Sequence, residues 1–358
     1  MLDYIPFDPG LLNDDGRIYL YYGWALPMRP TKNRVIQKIY RKVMRRMFPK
    51  KTEEEIYSTN PGIMGGNVVE LEQDMLTVKS FPKRMIPCEM DASGSGFENH
   101  AFFEASSIRK LGDTYYFIYS SSANHELCYA TSKYPDREFR YGGVIISNGD
   151  IGIKGRKGKD RVAVTGNNHG SIECIHGEWY IFYHRHTHMS SNSRQGCAER
   201  IKICENGFIP QVEMTSCGLN QGALAADGDY PAVIACNLTD GKMPHIGKGV
   251  CRQKKPHITH KKEERFITQI QDHTLIGYKY FCFEGKTKIF VMTSGTGSGK
   301  FLVCNRPGEM LGEIMIRPSK KWIENETVID AEGTHALYFI FKGKGTVEFL
   351  RFGFAKES

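Results

Sequence analysis

Short runs of apolar and aromatic residues fill much of the chain, and Gly, Asp and Asn separate them. Residues 100–121, HAFFEASSIRKLGDTYYFIYSS, show two such runs on either side of a turn at Leu111-Gly112-Asp113. Runs of this kind, bounded by turn residues, are typical of buried strands joined in a hairpin. The pattern predicts a β-hairpin here, with the single carboxylate of Glu104 near the start of its first strand.

Two other segments repeat this hairpin. Aligning the turn glycines Gly16, Gly112 and Gly177 places a tyrosine three residues after each glycine and a second aromatic residue two positions further on. A repeat built from strands and turns is typical of a β-propeller, in which sheets of about four strands surround a channel. The residues that lie eight positions before the three glycines are Asp8, Glu104 and His169.

These three residues share a predicted position on innermost strands, facing the channel. Each also has a structural explanation when taken alone: Asp8 as a turn cap, Glu104 as a charge paired inside the channel, and His169 as a hydrogen-bonded core histidine. The shared offset favours a functional interpretation, because these residue types on one axis can transfer protons or bind a metal. The sequence therefore predicts an active site at these residues.

An insertion at about residues 27–61 separates the first two repeats. Residues 32–48 within it have helical spacing and predict an amphipathic basic helix. Its apolar face carries Val35, Ile36, Ile39, Tyr40, Val43, Met44, Met47 and Phe48, and its basic face carries Lys38, Arg41, Lys42, Arg45 and Arg46. We favour packing of the apolar face on the propeller over binding to a membrane surface or a partner.

Further strands are predicted between the repeats and after them. Residues 125–132 and 139–146 are interpreted as outer strands of the blade that contains Glu104, and residues 193–209 as a last, shorter blade. His184, His186 and His188 alternate in a predicted strand, which is one arrangement of zinc ligands. They lack the acidic or cysteine partner of a closed site, so we do not expect zinc there.

The last part of the chain predicts a second β domain. Residues 219–259 are polar, contain glycine and lack periodicity, and they are interpreted as a linker and lead-in. Beyond them, short strands separated by turn residues predict a β-sandwich at 260–358. The predicted strands are Tyr278–Phe283, Thr287–Met292, Phe301–Cys304, Gly312–Ile316, Ala336–Phe341 and Val347–Phe352.

Composition narrows the setting. The chain has 358 residues and a formal net charge of +8, but much of this charge lies in the basic helix, so nucleic acid is not an expected partner. Ten cysteines without a C-x-x-C pair predict reduced thiols in the cytoplasm. No signal peptide or transmembrane run is evident, so we expect no membrane partner; secretion stays open if the natural protein starts earlier.

Three motifs resemble glycoside hydrolase family 43. They are the run from Asp8 to Gly23 (DPGLLNDDGRIYLYYG), the run from Phe103 to Ser120 (FEASSIRKLGDTYYFIYS) and the run from Asn168 to His184 (NHGSIECIHGEWYIFYH). They occur in the order of that family and span about residues 1–218. The resemblance implies a five-bladed β-propeller and an inverting hydrolase acting on arabinose- or xylose-containing oligosaccharides or polysaccharides.

The same resemblance implies roles for individual residues. Glu104 resembles the general acid, and Asp8 resembles the aspartate that tunes the pKa of that acid. His169 resembles the histidine associated with an axial calcium ion, directly or through water. Phe103 and Arg194 are the predicted substrate-binding residues of this domain.

The partner of the general acid is missing from these motifs. An inverting glycosidase needs a base that activates water, about 6.5–9.5 Å from the acid. In this family the base is an aspartate on the blade before the one bearing Asp8, whereas here only seven residues precede Asp8 and Asp3 lies in no blade motif. We therefore expect an N-terminally incomplete propeller without its general base. The alternative is a non-catalytic carbohydrate-binding remnant.

The C-terminal region resembles a family 6 carbohydrate-binding module. The matching residues include Gly295–Val303, the segment from Gly333 to Gly343, and Phe349–Phe352. Trp322 is either the aromatic residue that stacks on a sugar ring or a core tryptophan. The ligand-binding asparagine of the family is replaced by Glu348.

Overall fold

The computed structural model describes residues 7–24, 33–47, 49, 65–247 and 249–356. Within this part of the chain, strands dominate, and the α-helix α1 (Arg34–Met47) is the exception apart from short 3-10 turns. The prediction of an all-β protein is therefore confirmed. The chain divides into two compact units: residues 1–124, 128–143 and 169–171 form the first, and residues 125–127, 144–168 and 172–358 form the second.

The first sheet is an antiparallel meander that begins the first unit. Its strands are β1 (Phe7–Asp14), β2 (Arg17–Trp24), β3 (Gly65–Leu71) and β4 (Lys83–Pro87), hydrogen-bonded in chain order. The turn between the first two strands depends on Gly16, which has φ +83° and donates its N–H to Asn13 Oδ1 at 3.0 Å. A positive φ favours glycine because it has no Cβ, which explains the Asn-Asp-Asp-Gly sequence of this hairpin.

The second sheet contains the hairpin at residues 100–121, in which the sequence pattern is clearest. Its four strands are also hydrogen-bonded in chain order: β5 (Phe102–Leu111), β6 (Thr114–Ser121), β7 (Glu126–Ser132) and β8 (Arg140–Ser147). The two outer strands lie where the sequence predicts them. Aromatic side chains on β6 fill the interior, and Phe117 and Tyr119 are fully buried.

The third sheet corrects one prediction. It consists of β9 (Ser171–Ile175), β10 (Glu178–His186) and β11 (Arg194–Ile201). Strand β11 pairs antiparallel with β10 along its whole length, from Trp179 opposite Ile201 to His186 opposite Arg194. The prediction that residues 193–209 begin a last, shorter blade is therefore wrong. Alternation predicts a strand but not its partner, and here a short connection returns the chain to the same sheet.

The remaining strands of the second unit form a ten-stranded sheet. Its main path runs in the order β15-β16-β21-β17-β20-β18-β19, with β12 and β14 paired to β17, and β13 to β21. Strands β12–β14 lie in the segment interpreted as a linker and lead-in. The bounds are β12 (Leu224–Ala225), β13 (Gly228–Pro231), β14 (Asn237–Thr239), β15 (His257–Lys261), β16 (Glu264–Ile270), β17 (Leu275–Gly295), β18 (Ser298–Arg306), β19 (Glu309–Ile316), β20 (Ser319–Lys344) and β21 (Val347–Lys356).

Phenylalanine dominates the core of this ten-stranded sheet. Phe301, Phe339, Phe341, Phe349 and Phe352 are fully buried, and their rings contact one another at centroid distances of 5.4–6.2 Å. Two strands predicted separately, at 278–283 and 287–292, form one continuous strand, β17. The turn-like Glu-Gly-Lys sequence between them is accommodated within that strand.

Helix α1 confirms the predicted helix but not the favoured packing. Val35, Ile36, Ile39 and Val43, which lie on the predicted apolar face, are between 39% and 66% exposed. Residues 27–32, 48 and 50–61 of the predicted insertion, and the side chains of three further apolar-face residues (Tyr40, Met44 and Met47), lie outside the described residues. In the part of the chain that is described, no helix has the length and apolar character needed to cross a membrane.

Candidate active site

The structure brings Asp8, Glu104 and His169 together within the first unit. Nε2 of His169 lies 3.2 Å from Oε1 of Glu104 and 3.5 Å from Oδ2 of Asp8. The side chains of Glu104 and His169 are 19% and 28% exposed, so each is largely shielded from solvent. The two facing atoms, His169 Nε2 and Glu104 Oε1, are themselves buried. One imidazole nitrogen is therefore placed beside two carboxylates in a shielded setting.

Backbone irregularity positions Glu104. The pairing of β5 with β6 shifts register on both sides of this residue, between Phe102 and Glu104 and between Glu104 and Ser107. The next residue, Ala105, has φ +68°, which is unusual for a residue with a Cβ. Irregularities of this kind re-aim a side chain out of the regular alternation of a strand and occur next to active sites.

Asp8 occupies a matching irregularity in β1. This residue has φ +50°, and the pairing of β1 with β2 shifts register between Phe7 and Gly10. Oδ2 of Asp8 accepts a hydrogen bond of 3.0 Å from the backbone N–H of Ala105. The carboxylate of Asp8 is thereby fixed to the strand residue that follows Glu104, so the two acidic side chains are held in one geometry.

Gly10 allows β1 and β5 to approach closely. A Cβ atom at this position would lie 2.8 Å from the carbonyl oxygen of Ser106, which is closer than real Cβ atoms come to backbone. The Asp-Pro-Gly sequence therefore combines the acidic residue with the glycine that lets its strand reach β5. The sequence pattern identifies Asp8 through its offset, but only the packing shows why glycine follows two residues later.

His169 is held by the segment that enters β9. Ser171, two residues further on, forms a hydrogen bond of 2.7 Å with Ser107 of β5 through the two hydroxyl groups. Below the site, the ring of Phe102 is buried and lies 6.1 Å from the Phe117 ring. Aromatic packing and one side-chain hydrogen bond thus preorganise the imidazole and the strand that carries Glu104.

These three residues do not form a good calcium site. Their ligand atoms lie within 4.8 Å of one another, which is close enough to share an ion. Calcium, however, prefers six to eight oxygen ligands, whereas this set offers two carboxylates and one imidazole nitrogen, and Asp8 Oδ2 already accepts a backbone hydrogen bond. As direct ligands these three residues therefore fit calcium poorly, whereas a contact of His169 with an axial calcium ion through water stays a prediction, and the chemistry below does not depend on it.

The other predicted site residues lie on different elements. Phe103 is next to Glu104 on β5 and is 40% exposed. Arg194 begins β11 in the second unit, where its Nε donates to the carbonyl oxygen of Ser191 at 3.3 Å. Trp322 on β20 is half-buried, and its Nε1 donates to Glu264 Oε2 at 3.2 Å. Asp3, the one acidic residue upstream of Asp8, lies outside the described residues.

The three alternating histidines do not gather around one point. The rings of His184 and His186 are buried on β10 and lie 5.4 Å apart. His188 is exposed instead, with its ring 5.7 Å from that of His257. Among the described residues, the groups whose metal-binding atoms lie within 4.8 Å of one another do not include these three histidines.

Sequence reasoning missed a buried ionic cluster in the second unit. Nζ of Lys279 lies 2.8 Å from Oδ2 of Asp150 and 2.8 Å from Oε2 of Glu213. Burial opposes the charge of Lys279, but Cys236 and these two acidic groups together raise its pKa. The sequence carries little signal of this cluster, because Lys279 stands in an aromatic run (Tyr-Lys-Tyr-Phe) that predicts only a strand.

A second missed residue is Glu199 on β11. Its carboxyl group is buried and accepts hydrogen bonds from Tyr183 Oη at 3.0 Å, from the Thr215 N–H at 2.7 Å and from Thr215 Oγ1 at 2.5 Å. Burial raises the pKa of Glu199 to about 7, although these hydrogen bonds act in the opposite direction. This carboxyl group is therefore substantially protonated near neutrality.

Two known proteins that resemble the chain share one name. No protein-family model matches the chain. A xylosidase/arabinosidase from Thermoclostridium stercorarium is 42% identical over 361 residues, covering 98% of this chain and 70% of that protein. A xylosidase/arabinosidase from Bacteroides ovatus is 30% identical over 183 residues, covering 49% of this chain and 47% of that protein.

The chain also resembles a solved structure. It is a glycoside hydrolase family 43 arabinoxylan arabinofuranohydrolase from Bacillus subtilis in complex with cellotetraose. It is 21% identical, with a TM-score of 0.47, and the match covers 100% of this chain and 68% of that chain.

Two carboxylates and an imidazole at one partly shielded site are an arrangement that can hold and transfer a proton, as general acid–base enzymes do. The 42% identity to the T. stercorarium protein extends over nearly the whole chain. The chain belongs to the xylosidase/arabinosidase family of glycoside hydrolases.

Proposed function

We propose that this chain carries the general-acid half of an inverting glycoside hydrolase acting on arabinose- or xylose-containing glycans, as an α-L-arabinofuranosidase or a β-xylosidase. The contact of His169 Nε2 with Glu104 Oε1 at 3.2 Å, beside Asp8, is the observation that carries the proposal. The names of two relatives, a xylosidase/arabinosidase and an arabinoxylan arabinofuranohydrolase, support the choice of substrate.

Glu104 is the proposed general acid. Its protonated carboxyl group donates to the glycosidic oxygen as the bond to the sugar breaks. His169 Nε2 faces one of its oxygens, Oε1, and in our proposal the proton is donated from the other oxygen, Oε2. Phe103, exposed beside Glu104, offers an apolar surface to the sugar ring.

Asp8 is the proposed electrostatic partner of Glu104. Its carboxylate is fixed by the Ala105 N–H and by the nearby imidazole of His169. A negative charge close to a second carboxyl group favours the protonated form of that group. Asp8 therefore helps Glu104 to keep the proton until the glycosidic oxygen takes it.

In our proposal, a part of the protein outside this sequence supplies the general base. The base would activate a water molecule on the opposite face of the sugar, about 6.5–9.5 Å from the acid. We propose that the complete fold is a five-bladed β-propeller followed by a β-sandwich of carbohydrate-binding module type, with the first blade supplying the base. The chain forms three sheets of three or four strands, and each sheet begins with one of the repeated hairpins. This arrangement supports the proposal of a propeller.

Adding the missing blade tests the proposal. We expect that this chain, extended at its N-terminus by a first blade taken from the T. stercorarium relative, hydrolyses xylobiose or an arabinoxylan oligosaccharide, and that Glu104→Gln removes this activity. Glu72→Gln, which alters an exposed glutamate after β3, is the matched control. Undiminished turnover by the Glu104→Gln variant would contradict the assignment of Glu104 as the general acid. If the completed protein binds sugar without hydrolysing it, the chain is a carbohydrate-binding remnant.

A further inference from the structure

The second unit contains an open cavity of about 490 Å³. The segment 211–223 forms one wall, and Arg200 of β11, Tyr280 of β17 and Thr334 of β20 line the others. Pockets that bind small molecules typically measure about 300–1,000 Å³. This cavity therefore has the size of a ligand site, and none of its lining residues is among the three residues of the candidate active site.

The walls of the cavity are held in place by internal contacts. The carboxyl group of Glu199 accepts the N–H and hydroxyl hydrogen bonds of Thr215. The N–H of Ser216 donates to the Lys279 carbonyl oxygen at 2.6 Å, and Cys217 contacts the same strand through its sulfur. A cavity whose wall is tied down on both sides is preformed, so a ligand does not have to order it.

Amide, hydroxyl and carboxylate groups face this preformed space. Asn220 and Gln221 are exposed at its edge, and Glu213 is partly exposed. Glu213 is oriented on both of its oxygens, because Oε2 pairs with Lys279 and Oε1 accepts the hydroxyl hydrogen of Tyr280. Oriented side chains that can both donate and accept are suited to the hydroxyl groups of a ligand.

Most of the charge in the cavity lining is already paired. Arg200 pairs with Glu178 at 2.5 Å, and Glu213 pairs with Lys279. Glu199 is substantially protonated near neutrality, so the exposed ammonium of Lys154 is the charge that these pairs leave over. A single solvated ammonium produces a weak field, so the oriented hydrogen-bonding groups set the ligand class and favour an uncharged polyhydroxylated ligand.

We propose that this cavity is a second saccharide-binding site, separate from the Asp8–Glu104–His169 site, and that it takes a short uncharged oligosaccharide. Asn220 and Gln221 bind hydroxyl groups at its edge, Glu213 accepts hydrogen bonds inside it, and Tyr280 offers part of its ring. The choice of a xylose-containing sugar rests on the proposed function. Binding at this cavity does not itself require hydrolysis.

Binding of xylotriose to the full chain tests this site. We expect amide resonances of residues 211–223 to shift in NMR titrations with xylotriose, and the dissociation constant to be measurable by calorimetry. The double variant Asn220→Ala/Gln221→Ala loses two hydrogen-bonding side chains, so we expect binding at least about tenfold weaker. Asn220 Nδ2 also donates to the Cys217 carbonyl oxygen of the cavity wall at 2.9 Å, so Gln221→Ala alone, which keeps this wall contact, is measured beside the double variant and should also weaken binding. Gln253→Ala, an exposed glutamine outside the lining, is the matched control.

Three further comparisons separate this site from the active site and test the ligand class. Glu104→Gln should leave the resonance shifts of residues 211–223 and the affinity unchanged, whether or not the completed enzyme is active. Glucuronic acid and glucosamine should each bind more weakly than xylose. The proposal is overturned by shifts outside the cavity lining only, by unaltered affinity in the double variant, or by tighter binding of either charged sugar.

Discussion

Replacement of Glu199 by glutamine should remove a specific loss of stability that occurs as the pH rises. Glu199 Oε1 accepts from Tyr183 and from the Thr215 N–H, and Oε2 accepts from Thr215 Oγ1. When the carboxyl group is protonated on Oε2, the hydrogen bond to Thr215 can reverse, so that the carboxyl group donates to Oγ1. A glutamine amide reproduces this donor and acceptor arrangement without an ionisable group. The variant therefore mimics the low-pH state of the site at every pH.

The magnitude follows from the pKa. The folded-state pKa of Glu199 is raised from 4.5 to about 7. Below pH 4.5 both folded and unfolded chains hold the proton, so the shift has no effect. Between pH 4.5 and 7 the unfolded chain loses the proton first, and the free energy of unfolding falls with rising pH. A pKa difference of about 2.5, at about 1.36 kcal/mol per pKa unit, lowers the free energy of unfolding by about 3 kcal/mol.

The assay is urea unfolding followed by tryptophan fluorescence at pH 4.5, 6 and 8. We expect Glu199→Gln to match the wild type at pH 4.5 and to exceed its free energy of unfolding by about 3 kcal/mol at pH 8. Glu205→Gln, at an exposed glutamate of the same unit, should follow the wild type throughout. A constant difference between Glu199→Gln and wild type across this pH range would refute the reasoning.

Two other substitutions test packing and charge. Gly10→Ala places a Cβ 2.8 Å from the Ser106 carbonyl oxygen, so we expect a loss of about 1–3 kcal/mol of stability in urea unfolding. Gly158→Ala, with open space around its Cβ, should cost much less. Equal effects of the two substitutions would contradict the close approach of β1 and β5. Lys279→Met leaves two acidic partners without their cation, so we expect a loss of about 3–5 kcal/mol in the same assay, and a loss under 1 kcal/mol would contradict a buried ionic cluster.

The repeat in the sequence was enough to predict the hairpin that begins each of the first three sheets. Turn glycines and aromatic pairs recur because each hairpin needs a positive φ at its turn and buried rings on its second strand. The same periodicity does not reveal which sheet a strand joins. The segment beginning at Arg194 therefore looked like a new blade, although it returns to β10.

The candidate site was predictable for a related reason. Asp8 and Glu104 lie near the starts of β1 and β5, whereas His169 lies two residues before β9, so the predicted strand position is wrong for the histidine. The shared offset from the turns nevertheless identified three residues of which the imidazole lies within 3.5 Å of both carboxylates. The buried cluster around Lys279 was not predictable. Its members come from residues 150, 213 and 279, which no repeat or motif links, so only the tertiary fold brings them together.

Leaving-group dependence tests the role of Glu104 most directly. A general acid assists a poor leaving group strongly, and it is nearly dispensable when the leaving group departs without a proton. The measurement compares kcat/KM of the completed enzyme with that of its Glu104→Gln variant on xylobiose or an arabinoxylan oligosaccharide, and on the matching dinitrophenyl glycoside. The account predicts a loss of about 10²–10⁴-fold on the natural substrate and a much smaller loss on the dinitrophenyl glycoside. Equal losses on both substrates would contradict the assignment of Glu104 as the general acid.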